Sequence, residues 1–373
     1  MGKITLGEVA IESKVTWKSD KVGVPIVGLE HLEPGEITLS NWEIDSENTF
    51  TKKFSKGQVL LGRRRVYLRK AVIAPVDGIC SGDITVIEAI PGKILPELLP
   101  FVIQNDKFFD YAVQGSAGSL SPRVKWEHLK KYSFELPSID EQKILANKLW
   151  AAYRLKESYK KLLSATDEMV KSQFIEMFGT LDNPKGEIES LGTVCNIQRG
   201  GSPRPISEYI TDQSDGLNWI KIGDTDDSMY ITKTEEKIKP SGLRKTRQVY
   251  EGDLLLSNSM SFGRPYILKI DGCIHDGWLI LHINDAMKLS PVYLCSYLSQ
   301  QGTYAEMAKL AAGGVVQNLN SNIVRQLDVI VPAMEEQIKY IQILEQADKS
   351  KFELRKSIEA IDQVIMSLIN DIK

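Results

Sequence analysis

Two stretches of the chain share a helical rhythm far longer than anything between them. From Ile139 to Phe178, apolar residues recur mostly in steps of three and four, at Leu145, Leu149, Ala152, Leu155, Tyr159, Leu162, Met169 and Phe174. From Glu335 to Ile372 the series is Ile338, Ile341, Leu344, Phe352, Ile358, Ile361, Ile365, Leu368 and Ile372. Neither stretch contains Gly or Pro, and Lys, Glu, Gln and Asp fill the other faces. That is the pattern of a helix hiding one seam. Pro137-Ser138 and Pro332 mark the starts, and Gly179 stands where a helix C-terminus favours glycine. A helix of about forty residues is a rod of roughly 55–60 Å. A lone rod of that length leaves its stripe in water, so each needs a partner. The expected partner is the other copy in the same chain, and a pseudo-two-fold relation makes the pair an antiparallel coiled coil. The alternative is that each helix docks separately on its own lobe.

Ahead of each long helix the pattern turns strand-like. The first lobe, 1–136, holds β-branched runs broken by Gly, Pro and Asp: VGVPIVG (22–28), GQVLLG (57–62), KAVIAPVDG (70–78) and DITVIEAI (83–90). Short helical stretches follow between Leu95 and Asp110. The second lobe, 180–331, repeats the style with WIKIGD (219–224), GDLLLSN (252–258), RPYILKIDG (264–272) and WLILHI (278–283), then a helix near Pro291–Leu310. The predicted fold class is α+β, with two similar mixed α/β domains, 1–136 and 180–331, separated by two long helices, 137–179 and 332–373.

The two halves are related in detail. Leu136-Pro137 followed by Glu141-Gln142 returns as Val331-Pro332 followed by Glu336-Gln337, 195 positions later. The same offset carries Gly57 onto Gly252 and Gly118 onto Gly313, and GQVLL (57–61) matches GDLLL (252–256) in type. Asp77-Gly78 and Asp271-Gly272 are off by one position, as a loop deletion leaves them. Near the start, LGEV (6–9) meets LGTV (191–194) at an offset of 185. Several matches in one order at nearly one offset define a pseudo-two-fold internal repeat: lobe, helix, lobe, helix.

Composition narrows the function. The 373 residues suit two or three domains, and 42% apolar with 25% charged residues is a soluble, globular mix. No apolar run reaches the roughly 18 residues of a membrane span. The N-terminal MGKITLGEVAIESK lacks the order of a signal peptide, and Leu6 stands where a myristoylation motif wants Ser or Thr. A cytoplasmic protein with no membrane partner is expected. Cys80, Cys195, Cys273 and Cys295 show no C-x-x-C spacing and read as buried thiols. The net charge of −3 supplies no overall basic excess, so any nucleic-acid binding has to rest on local patches.

Catalytic motifs are missing from the pattern. There is no phosphate loop and no Gly-rich cofactor loop. Asp182-Asn183-Pro184-Lys185 lacks the second proline and the aromatic of a methyltransferase tetrapeptide. Asp83 and Glu88 are the nearest thing to nuclease carboxylates, and no suitably spaced lysine follows them. Cys273, His275 and Asp276 share one short loop without a fourth ligand, which reads as a turn rather than a metal site. No catalytic or metal-binding residue is assigned, and the expectation is a binding protein.

With lobes, helices and repeat placed, the sequence resembles the specificity subunits of Type I restriction–modification systems. In the first half the likeness rests on GQVLLGRRRVYLRKAVIAPVDGICSGDITVIEA (57–89) and GSAGSLSPRVKWEHLKKYSFELPSIDEQKIL (115–145). In the second it rests on GDLLLSNSMSFGRP (252–265), GGVVQNLNSNIVRQLDVIVPAMEEQ (313–337) and the helix that follows. The Leu-Pro-x-x-x-Glu-Gln start of a long helix, used in both halves with Val for Leu in the second, is the most specific element. The resemblance implies two target-recognition domains, each reading one half of an asymmetric bipartite sequence in double-stranded DNA, with the helices setting the gap. It also implies two modification subunits that carry S-adenosylmethionine and methylate adenine. Restriction subunits, whose presence the sequence leaves open, would add ATP- and Mg-dependent cleavage. No cofactor is expected in this chain itself. The competing reading is a coiled-coil scaffold that binds no DNA.

Residues suited to DNA gather in loops. The densest patch is Arg63, Arg64 and Arg65, with Arg69 and Lys70, just after GQVLLG. Arginine can lie bidentate on guanine or pair with phosphate. Three consecutive arginines on a strand cannot all face one way, so one or two are expected at the DNA. Ser121, Arg123 and Lys125 follow in a Gly/Ser-rich loop suited to the phosphate backbone. In the second lobe the place after GDLLL holds Ser257, Asn258 and Ser259, then Arg264, a set suited to adenine. Gln317, Asn318 and Asn320 match the 121–125 loop by position, and Arg199, Arg204, Arg244, Lys245 and Arg247 add loop cations. The unlike loops on a repeated framework point to two different half-sites.

Overall fold

The computed structural model describes residues 3–258, 262–311, 319–370 and 372. They form two compact units: unit 1 is Met1–Leu163 with Glu353–Lys373, and unit 2 is Ser164–Phe352. Each long helix is one continuous element, Ile139–Phe178 and Met334–Asn370, and the division runs through both helices rather than at their ends.

In unit 1 a four-stranded antiparallel sheet runs in the order Ala10–Glu12, Ile84–Ala89, Val59–Gly62, Ala71–Ile73. A second sheet places Gly78–Cys80 between Ile26–Val27, which it meets in parallel, and Lys52–Phe54. Lys3–Thr5 pairs with Ser133–Glu135 just before the central helix. Unit 2 uses the same plan. Its main sheet runs Cys195–Arg199, Trp278–Ile283, Leu254–Ser257, Pro265–Leu268, extended by Tyr230–Ile231. Its second sheet sets Gly272–Ile274 between Leu217–Ile220, again in parallel, and Arg247–Val249, with Glu236–Ile238 beyond Leu217–Ile220. Glu187–Ser190 pairs with Asp328–Val331. Apart from Tyr230–Ile231 and Glu236–Ile238, which extend the sheets of unit 2, the strand order and sense of these sheets correspond, so the mixed α/β repeat read from the sequence is a repeat of topology.

The repeated glycines have a shared physical reason. Gly57 and Gly252 turn the chain into equivalent strands with φ of 88° and 93°, a region that L side chains rarely adopt. A Cβ on Gly78 would lie 2.5 Å from Pro25 O, and one on Gly272 would lie 2.7 Å from Asn218 O. Both positions allow the close parallel approach of the second sheet. The Glu-Gln pair is equally structural. Gln142 accepts from Leu95 N–H (2.9 Å) and donates to Pro137 O (2.9 Å). Gln337 accepts from Ser290 N–H (2.9 Å) and donates to Lys288 O and Pro332 O (both 2.9 Å).

The long helices contribute to each unit's core. In unit 1, Ala146, Leu149 and Tyr153 join Ile365, Ile369 and Ile372 around Phe101 and Phe108, and Asn105 Nδ2 donates to Ile369 O (3.0 Å). Lys156 Nζ meets Asp362 Oδ1 at 2.6 Å. In unit 2 the rings of Phe174 and Tyr340 lie 5.1 Å apart, and Asp167 meets Lys351 at 3.1 Å. Numbers rise along one helix as they fall along the other, so the pair is antiparallel. The seam differs from the one drawn on the sequence. Leu149, Phe174, Leu344 and Ile365 are buried, but Leu155, Leu162, Met169, Ile338 and Phe352 are exposed. Gln142, Tyr153, Lys156, Gln337 and Tyr340 occupy the buried positions instead, because each has a partner that spacing alone cannot reveal.

All four cysteines are free and buried, and burial pushes the thiols of Cys80, Cys195 and Cys295 up to about 12 and that of Cys273 up to about 11. Among the described residues no group of His, Cys, Asp and Glu could hold a metal, and no helix is long and apolar enough to cross a membrane.

Candidate nucleic-acid interface

The strand that follows Gly57 or Gly252 ends at an equivalent point in each unit. Arg63 N–H donates to Asp83 O (2.9 Å), and Arg63 O accepts from Val124 N–H (3.0 Å). Asn258 N–H donates to Gly277 O (3.0 Å), and Asn258 O accepts from Leu319 N–H (3.2 Å). Three segments therefore meet at one junction in each unit: the strand end, the turn into the last sheet strand, and the strap leading to Trp126–Leu129 or Ser321–Arg325.

In unit 1 the arginine run follows the strand rather than lying on it, so strand alternation does not sort the side chains. Asp83 does much of the sorting. Its carboxylate accepts from Arg123 Nε (2.7 Å) and Nη2 (3.1 Å) and lies 3.7 Å from Arg64 Nη1. The bond from Arg123, and then the charges of Arg123, Arg64 and Arg63, hold the Asp83 carboxyl below its ordinary range in spite of partial burial. Arg64 Nη2 donates to Ser121 Oγ (3.1 Å), and Arg64 bridges Arg123 through the backbone. Arg63 is half-buried, and its Nε has no hydrogen-bond partner among the described residues. Arg65 and Lys125 are exposed. Arg63, Arg64, Arg65, Ser121, Arg123 and Lys125 thus stand together. Arg69 and Lys70 are turned to structural work: Arg69 pairs with Asp106 and with Asp110 (3.5 Å), and Lys70 Nζ donates to Leu29 O (2.7 Å).

Unit 2 builds its junction around Asp276. Arg199 Nε donates to Asp276 O (3.0 Å), Ser202 Oγ donates to Asp276 Oδ1 (2.6 Å), and Arg204 Nη2 lies 3.5 Å from Oδ2. The Ser202 hydrogen bond leads the causes that lower the Asp276 carboxyl. Ser257 and Asn258 sit here too, but both are buried. Asn258 Nδ2 donates to Asp276 O (2.9 Å), so its amide holds the turn instead of facing solvent. Arg264 is exposed, with its guanidinium 5.6 Å from the Tyr266 ring centre. Asn320 caps Ser321–Arg325 by accepting from Asn322 and Ile323 N–H (both 3.0 Å). Arg244 is exposed, and Lys245 Nζ donates to Tyr209 Oη (2.7 Å). Arg247 Nε reaches Arg199 O at 3.5 Å. Ser259, Gln317 and Asn318 lie outside the described residues.

The loop of Cys273, His275 and Asp276 is a turn. Cys273 is buried in the second sheet, and His275 Nδ1 accepts from Gly277 N–H (2.8 Å). Glu88, the other carboxylate weighed for a nuclease, accepts from Gln58 Nε2 (2.8 Å). Asp83 and Asp276 were missed as organisers of the junctions. The available signal was an acidic residue beside Gly in the turn before the last sheet strand, Gly82-Asp83 and Asp276-Gly277.

The chain is a duplication of one α+β plan, and each unit gathers cationic and polar side chains at the same junction. Residues 185–363 match the family described as the Type I restriction modification DNA specificity domain. Over its whole length the chain resembles solved structures of such systems. One, from a study of the complex assembly and conformational transition of the type I R-M system, has a TM-score of 0.65 at 20% identity, covering 99% of this chain and 96% of that one. Another, the S subunit of a Type I restriction–modification system from M. genitalium, has a TM-score of 0.58 at 13% identity, covering 99% and 94%. At such identities the likeness is one of fold, and it includes the first half of the chain.

Proposed function

We propose that this chain is the DNA-specificity subunit of a Type I restriction–modification complex and serves in defence against phage. Each unit reads one half of an asymmetric bipartite site in double-stranded DNA. The paired helices set the gap and dock two modification subunits. The chain is non-catalytic: S-adenosylmethionine sits on the modification subunits, which methylate adenine, and ATP and Mg sit on restriction subunits where these are present. The observation that carries the reading is the equivalence of the two junctions. The same strand end meets the same strap in both units, yet one is furnished with Arg63, Arg64, Arg65 and Arg123 and the other with Arg199, Ser202 and Arg204. One scaffold with two unlike polar surfaces suits two unlike half-sites. Docking is supported by Ile144, Leu155 and Leu162, exposed in unit 1 at helical spacings that bring them onto one face.

The test is binding by the chain assembled with its modification subunits. One bipartite sequence should bind far more tightly than scrambled DNA, with affinity falling steeply as salt rises. Alanine at Arg65 and Arg123 should weaken DNA binding and leave assembly intact. Equal binding to all sequences would refute the reading, and a pure scaffold would lose nothing on those substitutions.

A further inference from the structure

The turn that interrupts the arginine run has a form the run itself does not explain. Val66–Leu68 is a single 3-10 turn flanked by two non-glycine residues in the left-handed region, Arg65 at φ 52° and Arg69 at φ 55°. L side chains rarely adopt that region, so the surroundings of each residue hold it there. Arg65 N–H donates to Pro122 O (2.8 Å), Leu68 N–H to Arg65 O (2.9 Å) and Arg69 N–H to Val66 O (2.9 Å). Val66 is buried in the core of unit 1, and the Arg69 guanidinium lies over the Phe109 ring while pairing with Asp106 and Asp110. Between these anchors the two large apolar side chains point outward: Tyr67 is 52% exposed and Leu68 42%. A turn pinned at both ends that still offers its apolar residues to water is shaped for a partner. The strap to which it is pinned carries Ser121, Arg123 and Lys125, and Arg65 itself is exposed beside the pair. That cationic setting favours a polyanion.

Resting on the reading of unit 1 as a DNA reader, we propose that Tyr67 and Leu68 are specificity-determining residues that pack against the 5-methyl groups of thymines in the half-site read by this unit. The thymine methyl is the apolar feature of the major groove and is what the Leu68 side chain and the Tyr67 ring can pack against there. Half-exposed side chains on a short, braced turn suit surface contact with a methyl better than deep insertion into the base stack. The arginines nearby then carry phosphate and guanine, and the apolar pair distinguishes T·A from the remaining pairs.

The experiment uses the full chain assembled with its modification subunits and its selected bipartite site. Each thymine of the unit 1 half-site is replaced singly by deoxyuridine, which removes only the methyl. The wild-type complex should lose about fourfold in affinity at one or two positions, matching ~0.8 kcal/mol for a buried methyl-sized group. Tyr67→Ala and Leu68→Ala should bind thymine and uracil equally at those positions. Both variants should keep the salt dependence and the full discrimination of the unit 2 half-site, which shows that they are folded. The proposal fails if the wild type is indifferent to uracil throughout, or if the variants keep the wild-type ratio. It also fails if they lose subunit assembly with the ratio unchanged, since the turn would then be a protein contact. Absence of sequence-specific binding by the wild-type complex would instead overturn the function assigned to the whole chain.

Discussion

The side chains of Gln142 and Gln337 are almost wholly buried, and each ties the start of a long helix to the segment that precedes the short helices of its unit. Replacement by alanine strands a backbone N–H, at Leu95 or Ser290, together with the carbonyls that the amide had served. Each buried orphan costs about 1–3 kcal/mol. Gln142→Ala should therefore destabilise unit 1, and Gln337→Ala unit 2, by roughly 2–4 kcal/mol in urea unfolding; a loss below about 0.5 kcal/mol would mean that the bonds do not matter. These residues were legible because the repeat advertises them, as it does Gly57 and Gly252. Asp83 was not. Its role depends on Arg123, 40 positions away, and on a loop path that no local pattern encodes. The buried amide of Asn258 was misplaced for a similar reason. A polar residue after a strand looks solvent-facing until the turn at Asp276 closes over it.

Between strand and strand, the turn from Gly272–Ile274 to Trp278–Ile283 carries a pH dependence. Burial holds the His275 imidazole below its ordinary 6.5, with Lys221 adding to the effect, while Asp276 and Asp224 pull the other way. Backbone N–H groups face both ring nitrogens, Gly277 at Nδ1 and Ile222 at Nε2, so the neutral ring can accept at one of them and the protonated ring at neither. Below pH 6.5 the unfolded chain takes up the proton first. The stability from neutral His275 is thus complete above about pH 6.5 and is lost as pH falls through the lowered native pKa. The melting temperature of unit 2 should fall on acidification through this window, and His275→Asn should flatten that slope; an unchanged slope would remove His275 as the cause. The helices show how far element-level patterns reach. Their existence, extent and pairing followed from periodicity and from the absence of Gly and Pro. The choice of seam did not, because both faces of the central helix carry apolar residues. The structure buries the face on which Tyr153 and Lys156 find Glu36 and Asp362, and leaves Leu155 and Leu162 outside.

For the molecule as a whole, the proposed function gives one half-site to each unit, and the gap then belongs to the helices. Seven residues inserted into both helices at matching levels would keep the seam, since seven residues turn an α-helix through nearly two full turns. The salt bridges Lys156–Asp362 and Asp167–Lys351 should survive within their own units. Each helix would lengthen by about 10 Å, close to three base pairs at ~3.4 Å each. Over three base pairs, however, B-DNA also rotates by roughly 100°. The lengthened protein supplies the distance without that rotation, so the DNA or the helix pair has to twist to bring both grooves to their readers. The expected outcome is therefore double: a selected motif whose unspecified gap is about three base pairs longer, bound less tightly than the wild-type protein binds its own. Sequencing of methylated adenines in cells carrying each version reads the gap directly. A lengthened gap with lowered affinity identifies the helices as the ruler and torsion as its cost. An unchanged gap would show that the spacing is set within the units, by the straps and junctions that hold Arg123 and Arg204.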